Sequence, residues 1–271
     1  MLSEQDQRHY LAIARRAAVE AAEMIRTHAP GRLTEKGDRD PASEVDLAVE
    51  RFVRDFLHNK TPEIGFLGEE EGGNSSGHEL LWVLDPIDGT VNFLHGFPLC
   101  AVSLSLCDAN AVVAAVIDLP FLGSQYTALL GQGAYADGER LHVSRTSTLA
   151  DALISIDQYA FGEDAERKNR LRLRLTERLA QDAQRVRVLG ASAIDLAWTA
   201  EGRLDACTML SNKPWDTSAG VLVAREAGAR VLDHDGSEHS RQSHSTIAVT
   251  PGLEADLMAT VQAALASEDG L

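Results

Sequence analysis

Asp85 and Asp88 stand three residues apart in Leu81-Trp82-Val83-Leu84-Asp85-Pro86-Ile87-Asp88-Gly89-Thr90, directly after an apolar run that reads as a buried strand. The strand delivers both carboxylates into a Pro/Gly turn. Burying a carboxylate there is costly unless something positive compensates it. Two more acidic points lie at element ends: Glu69 in Gly68-Glu69-Glu70, and Asp216 in Trp215-Asp216-Thr217-Ser218-Ala219-Gly220. Asp46 falls in the first turn of a helix opened by Ser43. Taken singly, each has an ordinary reading. Asp216 would be a helix N-cap, Glu69–Glu71 a solvated acidic run, Asp46 a partner for the helix dipole, and Asp88-Gly89 a simple turn. Taken together, four carboxylates within about 5 Å would repel by roughly 3 kcal/mol per pair at an effective dielectric near 20. Such a site protonates, opens or binds cations. With oxygen donors and no His or Cys, the cation expected is magnesium or manganese rather than zinc.

The elements that must position these groups follow from periodicity. Residues 5–28 carry Tyr10, Ile13, Ala14, Ala17, Ala21, Met24 and Ile25 at helical spacing, and 31–42 reads as a Gly/Asp/Pro-rich loop. Ser43 caps a second helix with a buried face of Val45, Val49, Phe52, Val53 and Phe56. Strands are predicted at 64–67 and 80–84, separated by the polar loop Gly72-Gly73-Asn74-Ser75-Ser76-Gly77. Several β-type runs fill 100–143, with turns at 108–110, 131–133 and 137–138. Beyond residue 148 the pattern alternates: strand 152–157, helix 164–180, strand 186–189, helix 192–201, strand 203–209, helix 216–227, strands near 230 and 246, and helix 253–266. This order suggests an α+β protein of two layered subdomains, 1–145 with most of the acidic points and 146–271 with Asp216.

Composition narrows the function classes. The 271 residues carry 41 acidic against 25 basic side chains, a net charge of −16, which argues against a broad nucleic-acid or anionic-membrane surface. No apolar run reaches the length of a membrane span, and the polar N-terminus reads as helix rather than leader. Cys100, Cys107 and Cys207 lie in apolar surroundings without metal spacing and read as reduced core residues, so a cytoplasmic setting is expected.

The pair Asp85-Pro86-Ile87-Asp88-Gly89-Thr90 and Trp215-Asp216-x-x-Ala219-Gly220 resembles the inositol monophosphatase family of magnesium-dependent, lithium-sensitive phosphomonoesterases. The resemblance extends through Asn92–Pro98, Gly190–Ala197, Gly202–Ala206 and Arg225–Gly228. It implies a layered αβαβα sandwich and two or three Mg2+ ions. Glu69, Asp85 and the Ile87 carbonyl would hold one ion, and Asp85, Asp88 and Asp216 a second. The Thr90 hydroxyl paired with Asp46 would orient and deprotonate the attacking water, with Glu69 and Asp88 also in the catalytic set. Backbone N–H groups of Gly89 and Thr90 would cradle the phosphate, and Asp88, Ser192, Met209 and Asp216 would complete the substrate site. Cations would also offset the repulsion between an anionic substrate and an acidic protein. The Ser and Thr residues near the site, Ser43, Thr90 and Ser218, have no partner His in a recognisable arrangement, so a phosphoserine route is not expected.

One position departs from the family pattern. Where inositol phosphatases carry a Glu seven residues before the Trp-Asp aspartate, this chain has Met209, and a thioether cannot accept hydrogen bonds from vicinal hydroxyls as a carboxylate does. Ser211, Asn212 and Lys213 are close enough in sequence to supply other contacts, or form a solvated loop. Lys36 matches the family's loop lysine only loosely and is left out of the catalytic set. Inositol 1-phosphate is the default substrate. Histidinol phosphate, fructose 1,6-bisphosphate and 3′-phosphoadenosine phosphate stay open, as does a non-catalytic role in a transcription complex. By resemblance a homodimer is expected, with no nucleic-acid or membrane partner.

Overall fold

The computed structural model describes residues 2–37, 40–73, 78–109 and 111–266. An alanine stripe (Ala14, Ala17, Ala18, Ala21, Ala22) with Ile25 gives α1 (Glu4–Thr27) one fully buried face. Helix α2 (Glu44–Lys60) starts at Ser43 in a reciprocal capping box with Asp46. It buries Val45, Val49, Val53 and Leu57. Phe52 and Phe56, expected on that face, are only half-buried on its flank, where their rings tilt against each other.

Two sequence expectations are corrected. Residues in the predicted 31–42 loop form a hairpin, β1 (Leu33–Gly37) with β2 (Asp40–Ser43), because Leu33 and Thr34 pair with Ser43 and Ala42 and leave the loop composition to the apex. Asp38 and Arg39 of that loop, Asn74–Gly77 of the polar loop and Asn110 of the 108–110 turn lie outside the described residues. The second correction concerns β4 (Leu81–Asp88), which does not stop at Leu84 but runs through Pro86 to Asp88. Proline is tolerated because the ladder to the next strand shifts register between Asp85 and Asp88, where no N–H is required of it.

Among the described residues the first sheet runs in the order β3 (Gly65–Gly68), β4, β5 (Ala101–Cys107), β6 (Val112–Leu119), β7 (Ser124–Leu129), β8 (Gly133–Ala136), β9 (Glu139–Arg140). It is antiparallel except for the β3–β4 pair. A short helix, α3 (Thr90–Leu94), follows β4. The second sheet is built from β10 (Leu153–Ile156), β11 (Arg185–Arg187), β12 (Ala206–Met209), β13 (Arg230–Leu232) and β14 (Thr246–Val249), in the order β11-β10-β12-β14-β13. Its helices are α4 (Ala165–Asp182), α5 (Ser192–Ala200), α6 (Pro214–Glu226) and α7 (Glu254–Ala266).

Apolar faces fix the layers. Helices α1 and α2 cover one face of the first sheet through Trp82, Leu84, Val102, Leu104 and Val116. Its other face, with Ala115, Ile117 and Ala128, packs on Ala193, Ile194 and Ala197 of α5 and Ala219, Leu222 and Val223 of α6. These two helices also meet the second sheet, through Leu196, Val221 and Ala224 against Cys207, Val231 and Ala248. Leu175 and Leu179 of α4 and Leu257 and Val261 of α7 seal that sheet's outer face over Ile154, Ile247 and Val249. The result is α, β, α, β, α. The three cysteines are buried and unpaired, and burial pushes the Cys100 and Cys207 thiols up to about 12, which removes their nucleophilicity near neutral pH. No helix among the described residues is long and apolar enough to cross a membrane.

Candidate active site

The parallel β3–β4 pair brings two acidic points together. Gly68 is in register with Leu84, so the next residues, Glu69 and Asp85, leave the ladder side by side. Glu69 is held from behind. The buried Glu50 of α2 accepts hydrogen bonds from the Glu70 and Glu71 N–H groups at 2.7 and 2.8 Å. Gly68 is required there, since a Cβ would lie 2.3 Å from the Glu50 carboxylate carbon. Further out, Arg51 and Arg54 clamp Glu71 and hold its carboxyl down at about 2.

Asp85 is 2 % exposed. Burial, then the neighbouring charges of Glu69, Asp88 and Asp216, raise its carboxyl well above the usual carboxylate range. Its Oδ1 is buried without a hydrogen-bond partner. Asp88 reaches across to the next layer, where its oxygens accept from the Ser192 and Ala193 N–H groups at 3.1 and 2.7 Å in the first turn of α5. Asp216, in the first turn of α6, accepts from the Lys213 N–H at 2.7 Å. It is not the N-cap expected from sequence: α6 opens earlier, at Pro214, with Lys213 as the cap, and Asp216 at the third helical position reaches back to the Lys213 N–H while also acting on Asp85. Glu69, Asp88 and Asp216 all act electrostatically on Asp85, with Glu69 in hydrogen-bonding reach of it, while among the described residues no three His, Cys, Asp or Glu side chains close into a ligand cluster. An all-oxygen donor set with one orphaned, buried carboxylate oxygen suits a hard divalent cation.

Beside this group lies a second assembly. Asp46, fully buried, accepts from the Ser43 N–H at 2.9 Å and from the Ser43 hydroxyl. Its other oxygen lies 3.1 Å from the Thr90 hydroxyl, which is also 3.0 Å from the Ile87 carbonyl oxygen. Burial raises the Asp46 carboxyl. Gly89 joins β4 to α3 at φ +86°, where a Cβ would come within 2.8 Å of the Leu99 carbonyl oxygen. The bare backbone of Gly89 and Thr90 forms part of a cavity wall.

That cavity, about 550 Å³, is lined on one side by Asp88, Gly89, Thr90, Ser192 and Asp216, five of the residues singled out from sequence. Met209, expected to line it as well, does not. It is 1 % exposed and packs with Leu196, Cys207 and Val221 between α5 and the second sheet. The strand's alternation turns it into the core, where a thioether costs nothing. The opposite wall is formed by Asp157, Arg172 and Ser211, which sequence reading missed or left as loop. Arg172, 3 % exposed, donates from Nε to Asp157 Oδ1 at 3.1 Å and from Nη2 to Oδ2 at 2.6 Å. The same Nη2 lies 2.8 Å from Ser211 Oγ, and Leu210 N–H adds a bond to Asp157 Oδ2 at 3.0 Å. Burial outweighs Arg172 and still raises the Asp157 carboxyl. Between the two walls Asp195 of α5 has a buried, unpartnered Oδ1, and burial pushes its carboxyl up to about 8. Asp195 belongs to the Gly190–Ala197 stretch that resembles the family, but nothing in its local spacing marks it as cavity-facing.

The stacked α, β, α, β, α layers with an acidic centre at the strand and helix ends define a phosphatase-type fold of the sugar and inositol class. The chain belongs to the inositol monophosphatase family, whose sequence profile matches residues 6–266. It is 36 % identical over 248 residues to inositol-1-monophosphatase ImpA of Mycolicibacterium smegmatis, covering 92 % of this chain and 90 % of that one. It is 31 % identical over 223 residues to a fructose-1,6-bisphosphatase/inositol-1-monophosphatase of Aquifex aeolicus, covering 81 % and 83 %. The crystal structure of extragenic suppressor protein suhB from Bartonella henselae superimposes with a TM-score of 0.86 at 29 % identity, over 93 % of this chain and 97 % of that one.

Proposed function

We propose that this protein is a magnesium-dependent phosphomonoesterase that releases phosphate from a small polyol or sugar monophosphate, inositol 1-phosphate first among them, by direct attack of water. The observation that carries the reading is the buried Asp85 with an orphaned oxygen, facing Glu69, Asp88 and Asp216 at one end of the cavity. Glu69, Asp85, Asp88, Asp216 and the Ile87 carbonyl are the groups that would hold the cations. When bound, magnesium supplies positive charge to the phosphoryl oxygens and lowers the pKa of water.

The chain's own groups do the rest. The Thr90 hydroxyl can take a proton from the incoming water while passing its own to Asp46 Oδ1, 3.1 Å away. Asp46 is kept in place by Ser43, so the relay needs no rearrangement. Gly89 and Thr90 present backbone N–H groups to the phosphate without a side chain in the way. Asp88 is fixed by the first turn of α5 and so holds its orientation during turnover. The test is phosphate release from inositol 1-phosphate, histidinol phosphate, fructose 1,6-bisphosphate and 3′-phosphoadenosine 5′-phosphate, with magnesium and with chelator. Release that requires magnesium is expected. Turnover indifferent to chelator would overturn the proposal.

A further inference from the structure

The cavity wall facing the phosphate end has a chemistry of its own, which decides what the phosphate can be attached to. Arg172 is the one basic side chain among the described residues lining the cavity, and it is committed to Asp157 through both Nε and Nη2. Among the described residues lining this end, no positive charge is left over for a second phosphate. Acceptors and donors for hydroxyls are present. Asp157 lines the cavity with its side chain 11 % exposed, held there by Arg172 and by the Leu210 and Ser211 N–H groups. The Ser211 hydroxyl accepts from Arg172 and keeps its own hydrogen to donate. Tyr159 and Phe161 add aromatic surface at the rim, suited to the C–H face of a ring.

Building on the phosphatase reading above, we propose that Asp157 and Ser211 bind hydroxyl groups of the departing alcohol, and that Arg172 is the positioning residue holding Asp157. The site then takes monophosphates of neutral polyhydroxy compounds and turns away bisphosphates. Asp157 and Ser211 occupy the role that Met209, buried behind the wall, cannot fill.

The experiment compares three substrates in magnesium: inositol 1-phosphate, phenyl phosphate (phosphate without neighbouring hydroxyls) and fructose 1,6-bisphosphate. Ser211→Ala keeps the ion pair and removes one hydroxyl; Asp157→Asn tests the acceptor. Each is expected to lower the ratio of kcat/KM for inositol 1-phosphate over phenyl phosphate about tenfold or more, mainly through KM, the scale of an unpaired polar contact in a specificity site. A ratio within about twofold of wild type, with both substrates slowed together, would mean a purely structural role and overturn the proposal. So would a wild-type enzyme that prefers the bisphosphate. If even phenyl phosphate is not hydrolysed by wild type, the phosphatase reading fails and this one falls with it.

Discussion

The two ends of the cavity bury the same functional group and treat it oppositely. At one end, behind the lining residues Asp88 and Asp216, Asp85 faces them and Glu69 with an oxygen that has no hydrogen-bond partner among the described residues. At the other end Asp157 is gripped by a guanidinium, a backbone N–H and the neighbouring Ser211 network. Both carboxyls are raised by burial, so the difference lies in the source of countercharge. A buried ion pair that is complete within the chain forms part of the wall; a buried group of carboxylates that the chain does not neutralise suits a hard cation.

The contrast can be broken most directly at the acidic end. Asp88→Asn or Asp216→Asn is expected to cut magnesium-dependent phosphate release by about 10³-fold, the scale seen when one preorganised electrostatic group is lost; a loss under tenfold would show that the two are capping residues and nothing more. The next effect is at the balanced end. Arg172→Ala strands Asp157 and should cost about 3–5 kcal/mol of stability in denaturant unfolding, whereas Asp157→Leu with Arg172→Met should restore it to near wild type. If the single and double variants are equally unstable, the pair is not acting as a unit.

Magnesium itself sharpens the comparison. At about 100 times its Kd it should raise the wild-type Tm by roughly 5–10 °C, while metal-free Asp85→Asn is more stable than metal-free wild type and gains little from magnesium. Glu50→Ala, which releases the loop behind Glu69, should weaken magnesium affinity about 10–100-fold without touching a ligand. The smallest effect is Glu71→Gln. Its carboxyl sits at about 2 when folded and near 4.5 otherwise, so it contributes stability above pH 4.5 that is lost as pH falls toward 2. The pair with Arg51 and Arg54 is partly exposed, so the variant should lower Tm by about 2 °C or less at pH 7 and show a shallower acid slope in thermal melts.

The acidic end was legible because its chemistry is written in short range. Four apolar residues before Asp85, and Asp216 beside Trp215, put burial and charge next to each other in the chain. The balanced end was not. Asp157 and Arg172 are separated by a loop and about two turns of helix, and Arg172 sits in α4 among Arg167, Arg170, Arg174 and Arg178, where it looks like one more solvated cation. Met209 misled for a related reason. Counting back from Asp216 gives position along the chain, but a strand's alternation decides which side of a sheet a residue faces. The order of helices and strands was readable from alternating periods, and their stacking into five layers was implied by the family resemblance. The β1–β2 hairpin and the extension of β4 past Pro86 were not, because both rest on pairing between segments rather than on local composition.

Asp88 leaves the first sheet and ends on the backbone of α5, some hundred residues later, and Asp216 arrives later still. A growing chain on the ribosome therefore carries Asp85 and Asp88 long before it carries what they face. Until α5 and α6 are made, the sheet face with Ala115, Ile117 and Ala128 also has nothing to pack on. On the reading proposed above, synthesis that halts before residue 216 leaves a chain without one of the four carboxylates that would hold the cations, an inert fragment rather than an unregulated hydrolase.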